Sequence, residues 1–199
     1  MMKKVLKLAL LAVAAAFLAT ALPACSNESS SDGDSDTTAV KKSRRMTLNV
    51  SNCDVAESIT AETKLNDDFS VLANDSNAVS IDVYSMQFDG PSYTKRLKLG
   101  GAGDTTKRSV KFAPDGTAEI RIEASIIGEP NDWKIILEES KSGELQEFPG
   151  KGDTHIVIET LYFGAGETLY LYSNSGSLNI YAIYVNGLFT SNPYTSHLM

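Results

Sequence analysis

Thr117 to Ile127 read TAEIRIEASII. Ile120, Ile122, Ala124 and Ile126 recur at every second position, with Glu119, Arg121, Glu123 and Ser125 between them. Successive strand side chains point to opposite faces, so this run makes a strand with one apolar and one polar face. The polar face is expected to meet solvent. Working outward, VSIDVYS (79–85) places Val79, Ile81 and Val83 on one side and Ser80, Asp82 and Tyr84 on the other. WKIILEE (133–139) groups Trp133, Ile135 and Leu137; HIVIETLYF (155–163), ETLYLYS (167–173) and SLNIYAIYV (177–185) complete the series. Turn chemistry separates these runs: PDG at 114–116, GEPND at 128–132, KSG at 141–143, GAG at 164–166 and NSG at 174–176. No segment after the first 25 residues keeps a helical period with caps. Strand-and-turn spacing near a dozen residues predicts an all-β fold, an antiparallel jelly-roll-like sandwich. Residues 52–68 read less clearly, as a short helical turn or an irregular edge.

The domain is expected over residues 46–190, with a tail at 191–199. It is preceded by two segments of a different kind. MMKKVLK is a short basic start, LALLAVAAAFLATA an apolar stretch, and LPAC ends at Cys25. These are the parts of an export signal, over residues 1–24; the apolar run is shorter than the roughly 18 residues of a spanning helix. Leu22-x-Ala24-Cys25 resembles the bacterial lipobox, which implies that Cys25 is acylated and becomes the first residue of an envelope protein, lipid-anchored at the outer surface. An ordinary secretory signal with an incidental Cys25 is the alternative. SNESSSDGDSDTT (26–38) is polar, acidic and rich in Ser, and the basic run KKSRR (41–45) follows it; residues 25–45 together are expected to form a flexible tether. Without the signal the chain carries 15 cations against 25 acids, a balance of −10. That charge disfavours nucleic acid as a partner, and any anionic ligand needs local recognition. With Cys25 acylated, Cys53 has no partner within the chain, so stability must come from packing.

SYTKRLKLGGAG (92–103) concentrates Lys95, Arg96 and Lys98 in four positions. On a strand Arg96 and Lys98 share the face opposite Leu97 and Leu99. They either pair with carboxylates on a neighbouring strand or meet an acidic ligand. Tyr170, Tyr172, Tyr181 and Tyr184 crowd near the C-terminus; cross-strand pairing and sugar stacking both suit them. Leu169 and Leu171 take the face opposite Tyr170 and Tyr172. Together SYTKRLKLGGAG, RSVKF (108–112), LYLYSNSG (169–176) and LNIYAIYV (178–185) resemble the small β-sandwich domain found beside the parallel β-helix in some bacterial pectate lyases. The resemblance implies a non-catalytic carbohydrate-binding domain for plant-type acidic polysaccharide, without the calcium cluster and arginine of lyase chemistry. It points to Tyr93, Lys95, Arg96, Lys98, Arg108, Tyr170, Tyr172 and Tyr181 as ligand-binding residues. A structural or adhesive surface protein with a protein partner is the other reading.

Catalytic chemistry finds little in the residues. His155 sits in a strand and His197 in the tail, with no nucleophile motif joining them. Glu138 and Glu139 are adjacent, so a strand turns them to opposite faces. Gly100-Gly101-Ala102-Gly103 lacks a Walker lysine and a following helix, and reads as a tight turn or bulge. No His/Cys cluster has zinc spacing. No cofactor is expected; a structural calcium would suit such a sandwich, but no loop identifies one.

Overall fold

The computed structural model of the protein describes residues 43–127, 133–149, 155–163 and 166–187, all within one compact unit, Thr38–Met199. The signal, Cys25, most of the tether, the GEPND turn and the tail lie outside the described residues. Thirteen strands are found among those described, in two antiparallel sheets that form a sandwich. The first sheet runs β11 (His155–Tyr162), β8 (Ala118–Ile127), β13 (Ser177–Gly187), β6 (Ser92–Lys98), β5 (Val79–Gln87) and β2 (Ala56–Ile59), with β1 (Met46–Asn49) also on β13. The second runs β10 (Leu145–Pro149), β9 (Lys134–Glu139), β12 (Leu169–Ser173), β7 (Ser109–Phe112), β4 (Phe69–Leu72) and β3 (Thr63–Lys64). Of the two alternatives for residues 52–68, the edge is found, as the short edge strands β2 and β3; a 3-10 turn over Val50–Asn52 ends where that stretch begins.

The alternation of TAEIRIEASII is realised. Ile120, Ile122, Ala124 and Ile126 are all buried between the sheets, with Ile135, Leu137, Leu169 and Leu171 among the residues of the opposing sheet. Each fully buried aliphatic side chain contributes about 1.5–3 kcal/mol of transfer free energy, so this layer dominates stability. Phe69 and Phe112 are register partners on β4 and β7, their ring centroids 5.2 Å apart. The NSG turn is shaped by close approach. Gly176 has φ +67, and a Cβ there would stand 2.6 Å from the Trp133 ring. That position needs glycine on both counts.

β13 occupies the middle of the first sheet and divides its pairing. Asn179 and Ile180 pair with β6, whereas Ala182 to Val185 pair with β1. The outer half of the β5–β6 hairpin is therefore free of β13. A bulge bends it further: Val83 faces Lys95 and Met86 faces Tyr93, so Tyr84 and Ser85 oppose Thr94 alone. The hairpin tip folds across the outer face of the sheet, and Phe88 reaches the His155 ring on β11 at 5.2 Å.

Candidate functional site

A second apolar cluster forms beneath the folded hairpin. Phe88, Tyr93, Tyr181 and Ala182 are buried there, with Met86 and Tyr184 packed against them. Phe88 meets Tyr93 and Tyr181 edge-on at 5.7 and 5.3 Å, a favoured geometry for aromatic rings. Tyr181 faces outward by alternation from the core residues Leu178 and Ile180, and Ala182 joins it because β13 carries a bulge at that point, between the pairs Ile180–Ala124 and Ala182–Glu123. The extra residue switches the face that each later side chain takes.

The cluster also covers polar groups. Glu123, expected to face solvent, is only 1 % exposed, and this corrects the reading of β8's polar face. The hairpin overhead, which alternation alone does not reveal, removes it from water. Glu123 Oε1 accepts from Arg121 Nε at 2.9 Å, and Arg121 also donates to Glu159 at 2.7 Å. The Tyr93 and Tyr184 hydroxyls are hydrogen-bonded at 2.8 Å. Burial first, then the Glu123 carboxylate, holds the Tyr93 phenol neutral well above its ordinary range. Glu123 Oε2 nevertheless has no hydrogen-bond partner of normal geometry. Further along, the Ser125 hydroxyl shares a 3.2 Å hydrogen bond with Tyr181 and accepts from Asn179 Nδ2 at 3.3 Å.

Between hairpin and sheet lies a cleft of about 250 Å³, lined by Tyr84, Met86, Arg96, Ser125, Ile127 and His155 among others. Arg96 grips Asp82 with both ends of its fork, Nε to Oδ1 at 2.8 Å and Nη2 to Oδ2 at 3.1 Å. Its guanidinium carbon lies 3.9 Å from the Tyr84 ring centroid, well inside the roughly 6 Å of a cation–π contact. Lys98 Nζ approaches Asp82 at 3.6 Å. The Arg96 hydrogen bonds, above all, hold the Asp82 carboxyl below its usual range. His155 stands opposite Ser125 in the strand register. No hydrogen bond joins the imidazole to the Ser125 hydroxyl among the described residues, so the pair is not set up as nucleophile and base.

The structure divides the residues expected to bind ligand. Arg96 and Lys98 do share the face opposite Leu97 and Leu99, which are both in the core. They pair with Asp82 on the neighbouring strand, while Lys95 Nζ donates to the Cys53 carbonyl. Tyr93 and Tyr181 are buried beneath the hairpin, where Phe88 packs against both rings, so neither offers an open platform. Tyr170 and Tyr172 belong to β12 in the other sheet, and Tyr172 donates to Glu138 at 2.6 Å. Arg108 lies in the crossing from β6 to β7. Tyr84, His155, Met86 and Ser125 were not singled out as ligand-binding residues. The alternation of VSIDVYS did place Tyr84 beside Asp82, but the bend that opens its ring to the cleft leaves no periodic mark. Among the described residues no three His, Cys, Asp or Glu side chains gather as a metal site, and no helix is long and apolar enough to cross a membrane.

No family model matches the chain. No curated protein matches it either. Solved structures do. A xylan-binding domain from Paenibacillus barcinonensis is 15% identical with a TM-score of 0.41, covering 68% of this chain and 95% of that one. A carbohydrate-binding module from a Cellvibrio mixtus lichenase, in complex with cellotriose, is 12% identical with a TM-score of 0.36, covering 72% and 98%. An Arthrobacter globiformis isomalto-dextranase complexed with panose is 17% identical with a TM-score of 0.37; the match covers 54% of this chain and 20% of that one. At these scores the likeness assigns no ligand to this chain.

Proposed function

We propose that the protein is a non-catalytic carbohydrate-binding lipoprotein of the bacterial cell surface, anchored through Cys25, which holds plant-type acidic polysaccharide in the cleft beneath the β5–β6 hairpin. The observation that supports this reading most directly is the Tyr84 ring, 40% exposed and braced from one side by Arg96. A fixed aromatic face takes the C–H face of a sugar ring, and Ser125, His155 and Arg96 offer polar contacts to its hydroxyls. Ligand sites for drug-sized molecules run on the order of 300–1,000 Å³. A cleft of about 250 Å³ therefore suits one ring of a polymer whose other units lie outside.

The preference for acidic glycan rests on charge. Two cations, Arg96 and Lys98, share the single Asp82 carboxylate, so this trio carries one positive charge. A glycan array probed with the full-length protein tests the reading. Polygalacturonate is expected to bind, and Tyr84→Ala to weaken that binding at least about tenfold, or ~1.4 kcal/mol, while Tyr84→Phe retains it. Unchanged affinity in a folded Tyr84→Ala protein would remove the cleft from the site.

A second reading, attachment to a protein partner, is favoured by one feature. Val157 and Leu161 on the outer face of edge strand β11, and Phe163 just beyond, are 43%, 44% and 74% exposed. Wild-type protein that binds no glycan, but whose cells lose attachment to a protein-coated surface on Leu161→Asp, would support it.

A further inference from the structure

Arg44, Arg96 and Arg121 each sit against a carboxylate. Arg108 has none among the described residues. Its Nε is sealed from solvent and has no hydrogen-bond partner, although an unpaired buried donor is a standing cost and a guanidinium never sheds its charge. The backbone adds to that cost. Arg108 has φ +48, the only non-glycine residue in the left-handed region among those described.

The preceding loop is shaped around this side chain. A Cβ on Gly100 would stand 3.3 Å from Arg108 Nε, one on Gly101 3.1 Å from Nη1, and one on Gly103 2.4 Å from the Arg108 carbonyl oxygen. Gly103 has no room for a Cβ against that backbone oxygen, and at Gly100 and Gly101 the Arg108 side chain would have to give way. The loop is also pinned at both ends, by Leu99 N–H to the Leu178 carbonyl at 2.9 Å and Gly103 N–H to the Ser173 carbonyl at 2.8 Å. The nearest acid in the loop is already engaged: Asp104 accepts from the Thr106 hydroxyl and backbone and faces Lys107 at 3.5 Å. A strained residue, three glycines and two pinning bonds thus hold one cation in place without a counter-ion.

We propose that Arg108 and the Gly100–Gly103 loop form a receptor for the carboxylate of a uronic acid residue, separate from the Tyr84 cleft. The inference rests on the glycan-binding reading and names the group that would give it acidic selectivity. With Nε sealed, the two Nη groups present paired N–H donors in a plane, which match the two oxygens of a carboxylate better than they match neutral sugar hydroxyls.

The test uses full-length protein, with sodium galacturonate, galactose and inorganic phosphate as small probes, and polygalacturonate and xylan as polymers. Galacturonate should shift the Arg108 Nη–H resonances saturably, whereas galactose and phosphate should not. Arg108→Gln should weaken polygalacturonate binding at least tenfold and leave any xylan binding unchanged. Arg108→Gly, which accepts the left-handed backbone and so guards against misfolding, should do the same. If wild type and both variants bind polygalacturonate equally, the receptor is overturned while the cleft reading stands. If wild type binds no polymer, the cleft reading fails and the galacturonate shift alone decides: a saturable shift keeps the receptor and its absence removes it. A phosphate shift equal to that of galacturonate overturns the assignment to carboxylate.

Discussion

The guanidinium carbon of Arg96 lies 3.9 Å from the centre of the Tyr84 ring. One cation thus serves a carboxylate in the plane of its fork and an aromatic ring across its flat face. This arrangement fixes Tyr84 without burying it. It also means that the Arg96–Asp82 pair and the cleft stand or fall together, which the pH dependence should expose.

Asp82 is held below the ordinary carboxylate range by Arg96, so its folded-state pKa lies beneath its unfolded value of roughly 3.9. The pair's contribution to stability is therefore present above that value and is lost as pH falls through the folded pKa. Asp82→Asn should lower the melting temperature at neutral pH, and the gap from wild type should close in acid below about pH 4. A gap that stays constant through the acid range would show that Asp82 contributes through packing instead of charge.

Ile122 and Glu123 are both buried, on opposite faces of β8. Ile122→Asp should cost more than about 4 kcal/mol, since it places an unpaired carboxylate between the sheets. Glu123→Gln should cost about 1.5–3 kcal/mol, the range for a hydrogen bond to a charged group, because it weakens the bond from Arg121. Chemical denaturation of both variants measures this. A neutral Glu123→Gln would mean that the hairpin above it opens freely to water.

Gly176→Ala should destabilise by about 2 kcal/mol or more, from the left-handed backbone together with the clash on the Trp133 ring. Trp133 is the sole tryptophan, so its fluorescence reports the site directly. Emission should move towards that of a water-exposed indole. Unaltered emission and stability would show that the turn shifts at no cost.

Cys25→Ser should release the protein from membranes, because LPAC supplies the acylated residue in the proposed anchor. Fractionation after detergent-free washing checks this. A variant still sedimenting with membranes would end the anchor proposal.

Much of the sandwich could be read from period-2 patterns. Ile120 to Ile126 on β8 and the Leu169–Leu171 pair on β12 went to the core as their spacing implied, and the turns at Gly143 and Gly176 do take positive φ. What escaped was wherever one residue too many enters a strand. The bulges at Tyr84–Ser85 and Tyr181 reverse the alternation after them, and pattern cannot reveal an extra residue without knowing the partner strand. The same limit explains the site. Arg96 and Lys98 could be placed on one face, but Asp82 as their shared partner depends on the β5–β6 register. That Tyr170 and Tyr172 sit in the other sheet depends on strand order, which a single sequence does not state.

The division of β13 between its neighbours bears on how the chain is made. Among the described residues β13 is the last strand in chain order, yet it fills the gap between β8 and β6 and gives β1 its pairing. A ribosome delivers it after the other twelve. Until Ser177–Gly187 emerges, the first sheet is two separate fragments and Met46–Asn49 has no edge to join. Pairings that span nearly the whole domain form slowly and cannot be replaced by local ones. The first sheet of the nascent polypeptide therefore stays incomplete until the last of the thirteen described strands has left the ribosome, so the order of synthesis cannot be the order of assembly.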